Sequence, residues 1–463
     1  MLNDNSQQYK ELRKKYSEFI FENFTCAENG GELEIAYCFN IPGLARFRPT
    51  WTFETTGSRQ APVDRGCLDK LIFSLGMVEL ISYWKICCPP RVYVEAGALT
   101  AAQIKWWKKL YIKGLGEYFY KNNISPNDDF MDIICPLSES TAVITNMRSS
   151  ITKKSPKVLI PIGGGKDSAV TLELLRGIAD RYAYIINPRQ ATNDTVAVSG
   201  IQIDSIIIAR RTLDKNMLAL NAQGFLNGHT PFSAIVAFSS VLAGYINGLD
   251  YVALSNESSA NETTVANSDV NHQYSKSFEF EMDFKQYERE YIGSGVEYFS
   301  LLRPLLELQI ARLFARYKQY HSVFRSCNAG SKLDEWCGVC PKCLFVYTML
   351  SPFLDENELI AIFHKNLFDD ISLIPTLDEL VGFSPEKPFE CVGRRDEARA
   401  ALELTLAKYK GSATSPPPLL LHYREKGEAP IEAGKLLASF DVENAVPPYF
   451  LALVRAAARG VSD

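Results

Sequence analysis

Hydrophobic and polar positions follow a mixed strand and helix pattern in the first part of the chain. Apolar and polar residues alternate over 33–39 and 46–54, which predicts β-strands with one buried face. The apolar residues that follow Asp64 recur with a period of about 3.6, which predicts a helix with Asp64 at its N-cap. A second helix is predicted around 102–120. These elements predict an N-terminal α+β domain in residues 1–150.

Residues 151–350 alternate between short apolar runs and helical patterns. The apolar runs, which predict buried strands, are 157–162, 182–186, 205–209 and 251–254. Helices are predicted over 168–179 and after Thr230-Pro231, where the threonine hydroxyl is expected to cap a helix that begins at the proline. This order predicts an α/β fold with a parallel sheet, helices on both faces, and ligands at the carboxyl ends of the strands.

The remaining residues, 351–463, are predicted to form a mostly helical C-terminal region. Helical patterns occur near 431–440 and 449–459, and the proline-rich stretch 412–421 is expected to be a loop or linker. Residues 232–249 are apolar enough to be compared with a membrane span. They include serine, glycine and asparagine and lack closely flanking basic residues, so we expect a buried core helix and no membrane association.

Charge and cysteine content narrow the class of protein. The 463 residues include 49 Lys and Arg and 54 Asp and Glu, which gives a net charge of −5. Without a broad basic field, a nucleic-acid or membrane-surface binder is disfavoured. Residues 1–15 are polar and lack the apolar segment of a secretory signal. The 11 cysteines are an odd number and most are scattered, so we expect free thiols in a reducing compartment, the cytoplasm.

A glycine-rich turn follows the first apolar run of residues 151–350. Its six central residues are Gly163, Gly164, Gly165, Lys166, Asp167 and Ser168. Glycine N–H groups at the start of a helix can converge on an anion, and the helix dipole adds to their effect. The lysine adds positive charge, the serine a hydroxyl, and Asp167 a carboxylate that can orient phosphate-bound Mg²⁺. The pattern predicts a phosphate-binding loop, and the alternative is a structural tight turn.

Two further segments carry candidate chemistry. Four cysteines with metal-ligand spacing, Cys327, Cys337, Cys340 and Cys343, predict a closed structural zinc site. Buried core thiols or a redox CxxC pair are the alternatives. Ser255, Asn256 and Glu257 follow a predicted strand directly and open a long polar segment, 255–281. Long connections in such domains are commonly functional, so we expect these three residues beside the ligand rather than in a disordered surface loop.

The glycine-rich turn resembles the loop of the ATP-pyrophosphatase (PP-loop) superfamily, commonly written SGGxDS. Gly163 stands where that superfamily commonly has serine. The resemblance implies a Rossmann-like domain of the adenine nucleotide alpha hydrolase type, which splits ATP between the α and β phosphates and releases pyrophosphate. A similar four-cysteine site follows the PP-loop domain of the 7-cyano-7-deazaguanine synthases, which supports the prediction of zinc.

A narrower resemblance spans nearly the whole chain. The segments that carry it are LSNESSANE at 254–262, NGHTP at 227–231, the four-cysteine run and KPFECVG at 387–393. Together they resemble the MurL family, UDP-N-acetylmuramoyl-L-alanyl-L-glutamate epimerases of bacterial peptidoglycan synthesis. The resemblance implies an ATP- and Mg²⁺-dependent enzyme that adenylates the terminal glutamate of UDP-MurNAc-L-Ala-L-Glu, exchanges its α-proton and hydrolyses the adenylate. It also implies a functional link to the Mur ligase that adds L-glutamate, and no nucleic-acid partner.

Roles for individual residues follow from this resemblance. The six residues of the glycine-rich turn are expected to hold the pyrophosphate part of ATP, Asp167 and Glu257 to place Mg²⁺, and Asn256 to contact ribose or the acyl group. Stereoinversion favours a titratable group on each face of the carbon, and the candidates are His229, His272 and Cys391. Arg394 and Arg395 are expected to meet the substrate's carboxylates or diphosphate.

Each of these assignments has an alternative that involves no catalysis. His229 could be a helix-start hydrogen bonder, His272 a solvated loop histidine and Cys391 a buried thiol. The two arginines could be an exposed basic pair. Two other functions also remain open for the whole chain: another PP-loop adenylating enzyme that amidates, thiolates or forms a nitrile, and a nucleotide sensor without turnover.

Overall fold

The structure of the protein, a computed structural model, describes residues 4–55, 63–127, 130–136, 155–261, 274–411, 413–427 and 431–460. One mixed sheet runs through these residues. Its strands are β1 (Glu18–Asn29), β2 (Glu32–Ile41), β3 (Ala45–Phe47), β4 (Thr50–Glu54), β5 (Arg91–Val94), β6 (Asp132–Ile134), β7 (Lys157–Pro161), β8 (Asp180–Ile186), β9 (Ile206–Thr212), β10 (Tyr251–Leu254) and β11 (Glu297–Ser300). Their order is β11-β10-β7-β8-β9-β4-β2-β1-β5-β6, with β3 paired to β2.

The sheet has a parallel half and a mixed half. Strands β11, β10, β7, β8 and β9 pair in parallel. Strands β1 to β4 pair antiparallel, and β5 and β6 add parallel strands beside β1. This arrangement confirms the predicted α/β fold. The two halves are joined because β4 pairs antiparallel with β9.

Helices cover the sheet and form the C-terminal region. They are α1 (Ser6–Lys15), α2 (Arg65–Trp84), α3 (Ala101–Gly114), α4 (Gly116–Lys121), α5 (Lys166–Leu174), α6 (Gln190–Ser199), α7 (Lys215–Ala222), α8 (Phe232–Ile246), α9 (Phe278–Tyr287), α10 (Glu307–Phe314), α11 (Pro341–Leu350), α12 (Glu356–Phe363), α13 (Ile374–Val381), α14 (Arg395–Lys408), α15 (Pro418–Lys426), α16 (Ala433–Ala438) and α17 (Pro448–Ala458). One hydrophobic cluster includes α2, α3 and α8, and a second includes α5, α10, α11 and α14.

Helix starts show where local prediction succeeds and where it fails. Asp64 caps α2 as predicted, since its carboxylate accepts hydrogen bonds from the backbone N–H groups of Gly66 and Cys67. The predicted Thr230 cap is wrong, because α8 begins at Phe232 without a side-chain cap and the Thr230 hydroxyl accepts from Lys85 Nζ instead. Helix α15 begins at Pro418, inside the stretch predicted to be a loop, because proline is compatible with the first turn of a helix.

Helix α8 is a core helix, as its composition predicts. Most of its side chains are buried, and they pack in the same cluster as α2. Across the described ranges, no helix is long and apolar enough to cross a membrane.

Candidate functional site

The glycine-rich turn connects β7 to α5 at the carboxyl edge of the parallel strands. Gly164 has a φ of +80°, and a Cβ there would lie 3.2 Å from the Ala191 Cβ. Glycine is therefore the residue that this conformation and this close approach favour. A Cβ at Gly163 would have no atom within 4 Å, so the turn is open on one side. The Arg325 N–H donates to the Gly164 carbonyl oxygen at 2.7 Å and fixes the turn.

A cavity of about 560 Å³ lies against this turn. Strands β7 and β10 are neighbours and parallel, so the segments that follow them meet at the same edge of the sheet. The sequence-predicted residues that line the cavity are Gly163, Gly165, Asp167, Ser168, His229, Ser255, Asn256, Glu257, Cys327 and Cys391. Its volume is in the range of small-molecule sites.

Three carboxylates converge beside the cavity, and two of them, Asp167 and Glu257, line it. Asp167, Glu257 and Glu307 each place an oxygen so that all three atoms lie within 4.8 Å of one another. Burial acts to raise the pKa of Asp167, but the Lys166 ammonium lowers it below its usual value. Burial also raises the pKa of Glu307, against the Lys166 ammonium. The three carboxylate oxygens beside the glycine-rich turn are hard ligands of the kind that Mg²⁺ prefers.

Lys166 lies behind the carboxylates and is not among the residues that line the cavity. Its ammonium forms ion pairs with Asp167 and Glu307, and its side chain is 3% exposed. The cations that do line the cavity are Arg189, Lys276 and Lys342. Positive charge thus faces the cavity from three separate segments, although the glycine-rich turn itself contributes none there.

His229 reaches the cavity from a segment that the N-terminal part of the chain holds in place. Its Nδ1 lies 3.3 Å from Glu117 Oε2, so a buried carboxylate sits against the imidazole. Lys85 Nζ donates to the Gly228 carbonyl oxygen and, at 2.7 Å, to Thr230 Oγ1, on either side of His229. Burial lowers the pKa of Lys85 to about 8. This part of the site is built from α4 and the end of α2.

Cys391 reaches the cavity from the loop before α14. Its Sγ accepts a hydrogen bond from Lys276 Nζ at 3.3 Å, and its carbonyl oxygen accepts one from Lys342 Nζ. His229 and Cys391 therefore line one cavity, and their role in proton transfer stays a prediction. His272 lies outside the described residues.

Arg394 and Arg395 are not among the residues that line this cavity. Arg394 forms a bidentate ion pair with Asp396, with an Nε–Oδ1 distance of 3.1 Å. Arg395 donates to the carbonyl oxygens of Ser384 at 3.2 Å and Pro385 at 2.8 Å. Substrate binding by these two arginines stays a prediction.

The four predicted zinc ligands form a compact cluster. The Sγ–Sγ distances are 3.7 Å for Cys327–Cys340, 3.7 Å for Cys337–Cys343 and 3.5 Å for Cys340–Cys343. Zn–S bonds of about 2.3 Å in a tetrahedron place sulfur atoms about 3.8 Å apart, whereas a disulfide bond is about 2.05 Å long. The cluster therefore fits one zinc ion and no disulfide.

Comparison with known proteins places the chain in a family. Residues 10–301 match the model of the MurL N-terminal domain, and residues 323–416 match that of the MurL C-terminal domain. The chain belongs to the MurL family. The predicted resemblance is thus confirmed, and the family models together include both the glycine-rich turn and the four cysteines.

Curated MurL relatives cover most of the chain. A protein of Xanthomonas oryzae pv. oryzae is 34% identical over 72% of this chain and 74% of its own length. Proteins of Salinispora tropica (34%) and Micromonospora sp. (33%) each align with 85% of this chain and with 86% and 88% of their own lengths. All three are named UDP-N-acetyl-alpha-D-muramoyl-L-alanyl-L-glutamate epimerase.

Sequence reasoning missed several charged residues in and around this cavity. Glu307 follows an apolar run and begins α10, and it is 2% exposed. Glu397 is fully buried, accepts a hydrogen bond from Ser259 Oγ at 2.6 Å, and has a pKa that burial raises to about 8. For Glu307 the available signal was a charged residue within an otherwise apolar stretch, since such residues are rarely buried without a specific partner. Glu397 lies among charged residues and gave no such signal. Glu117 precedes an aromatic run, 118–120, and gave a weaker form of the same signal, whereas Lys276 lies in a polar stretch and gave none.

Proposed function

We propose that this chain converts the terminal L-glutamate of UDP-MurNAc-L-Ala-L-Glu to D-glutamate in an ATP-dependent epimerisation. The names of its curated relatives support the substrate and the outcome. The observation that carries the proposal is one cavity lined by the glycine-rich turn, by the carboxylates of Asp167 and Glu257, and by two titratable side chains, His229 and Cys391. A nucleotide and a proton-exchanging carbon could then occupy the same site.

Adenylation explains why an epimerase needs a nucleotide site. The α-proton of a terminal glutamate is hard to remove, because the carbanion would form beside a negative carboxylate. Attack of that carboxylate on the α-phosphate of ATP gives a mixed anhydride and releases pyrophosphate. The adjacent negative charge is then lost, and the α-proton becomes more acidic. Water later cleaves the anhydride to AMP and the D-glutamyl product.

The residues of the cavity suit these steps. Backbone N–H groups of the glycine-rich turn and the N-terminus of α5 can receive the phosphates. Asp167, Glu257 and Glu307 would hold Mg²⁺, which neutralises phosphate charge when it is bound. Arg189, Lys276 and Lys342 add positive charge along the cavity walls. Asn256, whose Nδ2 donates to Ser300 Oγ at 3.2 Å, is oriented at the end of β10.

We assign proton transfer at Cα to His229 and Cys391, one acting as base and the other as acid. Both line the cavity, and each side chain has a charged neighbour, Glu117 for His229 and Lys276 for Cys391. Positioned acid–base groups contribute roughly 10²- to 10⁴-fold to such steps. The substrate would come from a ligase that adds L-glutamate to a UDP-linked precursor, in the cytoplasm.

The four-cysteine cluster would hold zinc as a structural element. Cys340 precedes the first residue of α11, and that helix carries Lys342 into the cavity. Cys327 itself lines the cavity wall. With four protein ligands the site has no open position, so we assign no reaction step to it.

An assay of nucleotide products tests this function against its two rivals. Purified protein, ATP and Mg²⁺ are incubated with UDP-MurNAc-L-Ala-L-Glu, and AMP and pyrophosphate are measured together with glutamate chirality. The epimerase should form AMP only with the substrate and should yield D-glutamate. AMP formation with other acceptors but not this one would indicate a different adenylating enzyme. Bound ATP without any AMP would indicate a sensor.

A further inference from the structure

The contact between Lys276 and Cys391 places an ammonium against a thiol inside the candidate ligand cavity. Lys276 Nζ lies 3.3 Å from Cys391 Sγ and donates to it. Both side chains are half-buried, and both line the cavity of the proposed reaction. A thiol beside an ammonium is more readily converted to a thiolate, and the thiolate is the form that accepts a proton.

We propose that Cys391 rests as a thiolate beside the Lys276 ammonium and is the base that removes a proton from Cα, with Lys276 as its positioning residue. This inference rests on the proposed function. It adds to that function the resting charge state of Cys391 and a role for Lys276, which lies outside the motifs found in the sequence.

The charges around the pair support this state. Burial acts to lower the pKa of Lys276, but Cys391, Glu257 and Asp167 raise it above its usual value, so Lys276 stays charged. Lys342 Nζ donates to the Cys391 carbonyl oxygen and brings a second ammonium to the backbone of this residue. The other charged or titratable side chains that line the cavity are Asp167, Glu257, Arg189, His229 and Cys327.

The proton balance of the step is simple. The Cys391 thiolate forms an S–H bond as the Cα–H bond of the acyl adenylate breaks, and the electron pair moves to the carbonyl oxygen as an enolate. The electron pair of the enolate then forms a new Cα–H bond with a proton from the His229 imidazolium on the opposite face, which inverts the centre, and His229 takes up a proton from solvent. The thiol then loses its proton to solvent, and the Lys276 ammonium stabilises the thiolate again. No oxidant, reductant or covalent thioester is involved.

Alkylation of the ligand-free protein tests the thiolate directly. Iodoacetamide is applied between about pH 5.5 and 10, and carbamidomethylation of Cys391 is followed by peptide mass spectrometry. Cys135, a half-buried thiol that does not line the cavity, serves as an internal reference in the same digest. We expect Cys391 to react near its maximal rate at neutral pH, at least about tenfold faster than Cys135.

Two variants separate the charge of Lys276 from its packing. In Lys276→Met, the rise of the Cys391 alkylation rate should move to a pH at least about one unit higher than in the wild-type protein. Lys276→Arg, which keeps the positive charge, should restore the wild-type dependence on pH. A profile that is the same in all three proteins would overturn the proposal. Zinc content and circular dichroism check that each variant is folded.

Cys391→Ser provides a readout that does not depend on Lys276. This variant should retain substrate-dependent AMP formation but lose deuterium exchange at Cα by about 10²-fold or more. Exchange at the wild-type rate would exclude Cys391 as the base. If the wild-type protein does not epimerise the substrate at all, the proposed function fails, whereas the alkylation profile still reports on the thiolate.

Discussion

At the scale of single residues, the contact between His229 and Glu117 links the N-terminal part of the chain to the site. Glu117 is buried, and its other oxygen forms an ion pair with Lys121 at 2.5 Å. A carboxylate against one ring nitrogen orients an imidazole and stabilises its protonated form. Glu117 is thus a positioning residue for His229 in the proposed reaction.

Substitution of this pair should affect proton exchange before it affects adenylation. His229→Asn should lower kcat for epimerisation by about 10²-fold or more, and Glu117→Gln by about tenfold. Substrate-dependent AMP formation should fall much less in both variants. Lys121→Met is the matched control, since it removes the exposed partner of Glu117 and leaves His229 in place. Equal losses of AMP formation and epimerisation would show that His229 acts in binding.

The three carboxylates predict a divalent-cation site that can be measured without substrate. Asp167→Asn and Glu257→Gln should each weaken Mn²⁺ binding by about tenfold or more, because the site loses one charged oxygen ligand. Isothermal titration of the ligand-free protein measures this change. Asp194→Asn on α6 is the control, since Asp194 is not part of the cluster and accepts from Gln190 Nε2. Unchanged Mn²⁺ affinity in both Asp167→Asn and Glu257→Gln would contradict the assignment of these carboxylates to a divalent-cation site.

At the scale of elements, the cysteine cluster fixes the start of α11 and the loop that precedes it. A Cβ at Gly330 would lie 2.0 Å from the Glu335 carbonyl oxygen, and the Gly330 N–H donates to Cys327 Sγ at 3.1 Å. The loop can therefore close only with glycine at this position. Because α11 carries Lys342, the cluster also positions one wall of the cavity.

Removal of one ligand should release the zinc and loosen this element. The wild-type protein should contain about one zinc per chain, and Cys337→Ser should contain almost none and unfold at a lower temperature. Elemental analysis and thermal unfolding measure both effects. Cys135→Ser, outside the cluster, should keep its zinc. Zinc-free wild-type protein of full stability would contradict the assignment.

Local patterns predicted the elements around the site more accurately than their ends. The strand predicted at 251–254 has the same bounds as β10, because a short apolar run between polar residues is a strong signal for a buried strand. The helix predicted over 168–179 ends at Leu174, and Gly177 follows with a φ of +75°. A glycine in the left-handed region ends helical geometry, but its conformation cannot be deduced from the residue type alone.

At the scale of the whole molecule, the two halves of the sheet meet at β4 and β9. Arg211 on β9 forms a bidentate ion pair with the fully buried Glu79 of α2, with N–O distances of 2.9 and 2.7 Å. The Trp51 indole on β4 donates to the same carboxylate at 3.3 Å. One buried carboxylate therefore ties both strands to a core helix.

Loss of this carboxylate should destabilise the chain as a whole. Glu79→Gln should lower the free energy of unfolding by about 3–5 kcal/mol, because it leaves the Arg211 charge buried without its partner. Glu54→Gln at the same junction breaks the more exposed Arg210 pair and should cost about 1 kcal/mol or less. Urea unfolding compares the two variants. Similar losses would show that burial of the pair contributes little.

This junction could not be predicted from the sequence. Strand pairing between Thr50–Glu54 and Ile206–Thr212 joins residues far apart in the chain, and no local pattern records it. The division at residue 150 stays a prediction, although the sheet is continuous across it. The convergence of Glu307 with Asp167 and Glu257 could not be predicted for the same reason, because it depends on how α10 packs against α5.

The most direct test of the central claim is deuterium incorporation at the inverted carbon. The protein is incubated in deuterated water with UDP-MurNAc-L-Ala-L-Glu and Mg²⁺, with and without ATP, and the glutamate is analysed by mass spectrometry and chiral chromatography. We predict D-glutamate that carries one deuterium at Cα, formed with AMP and only when ATP is present. Inversion without ATP, or inversion with retention of the original proton throughout, would contradict the account.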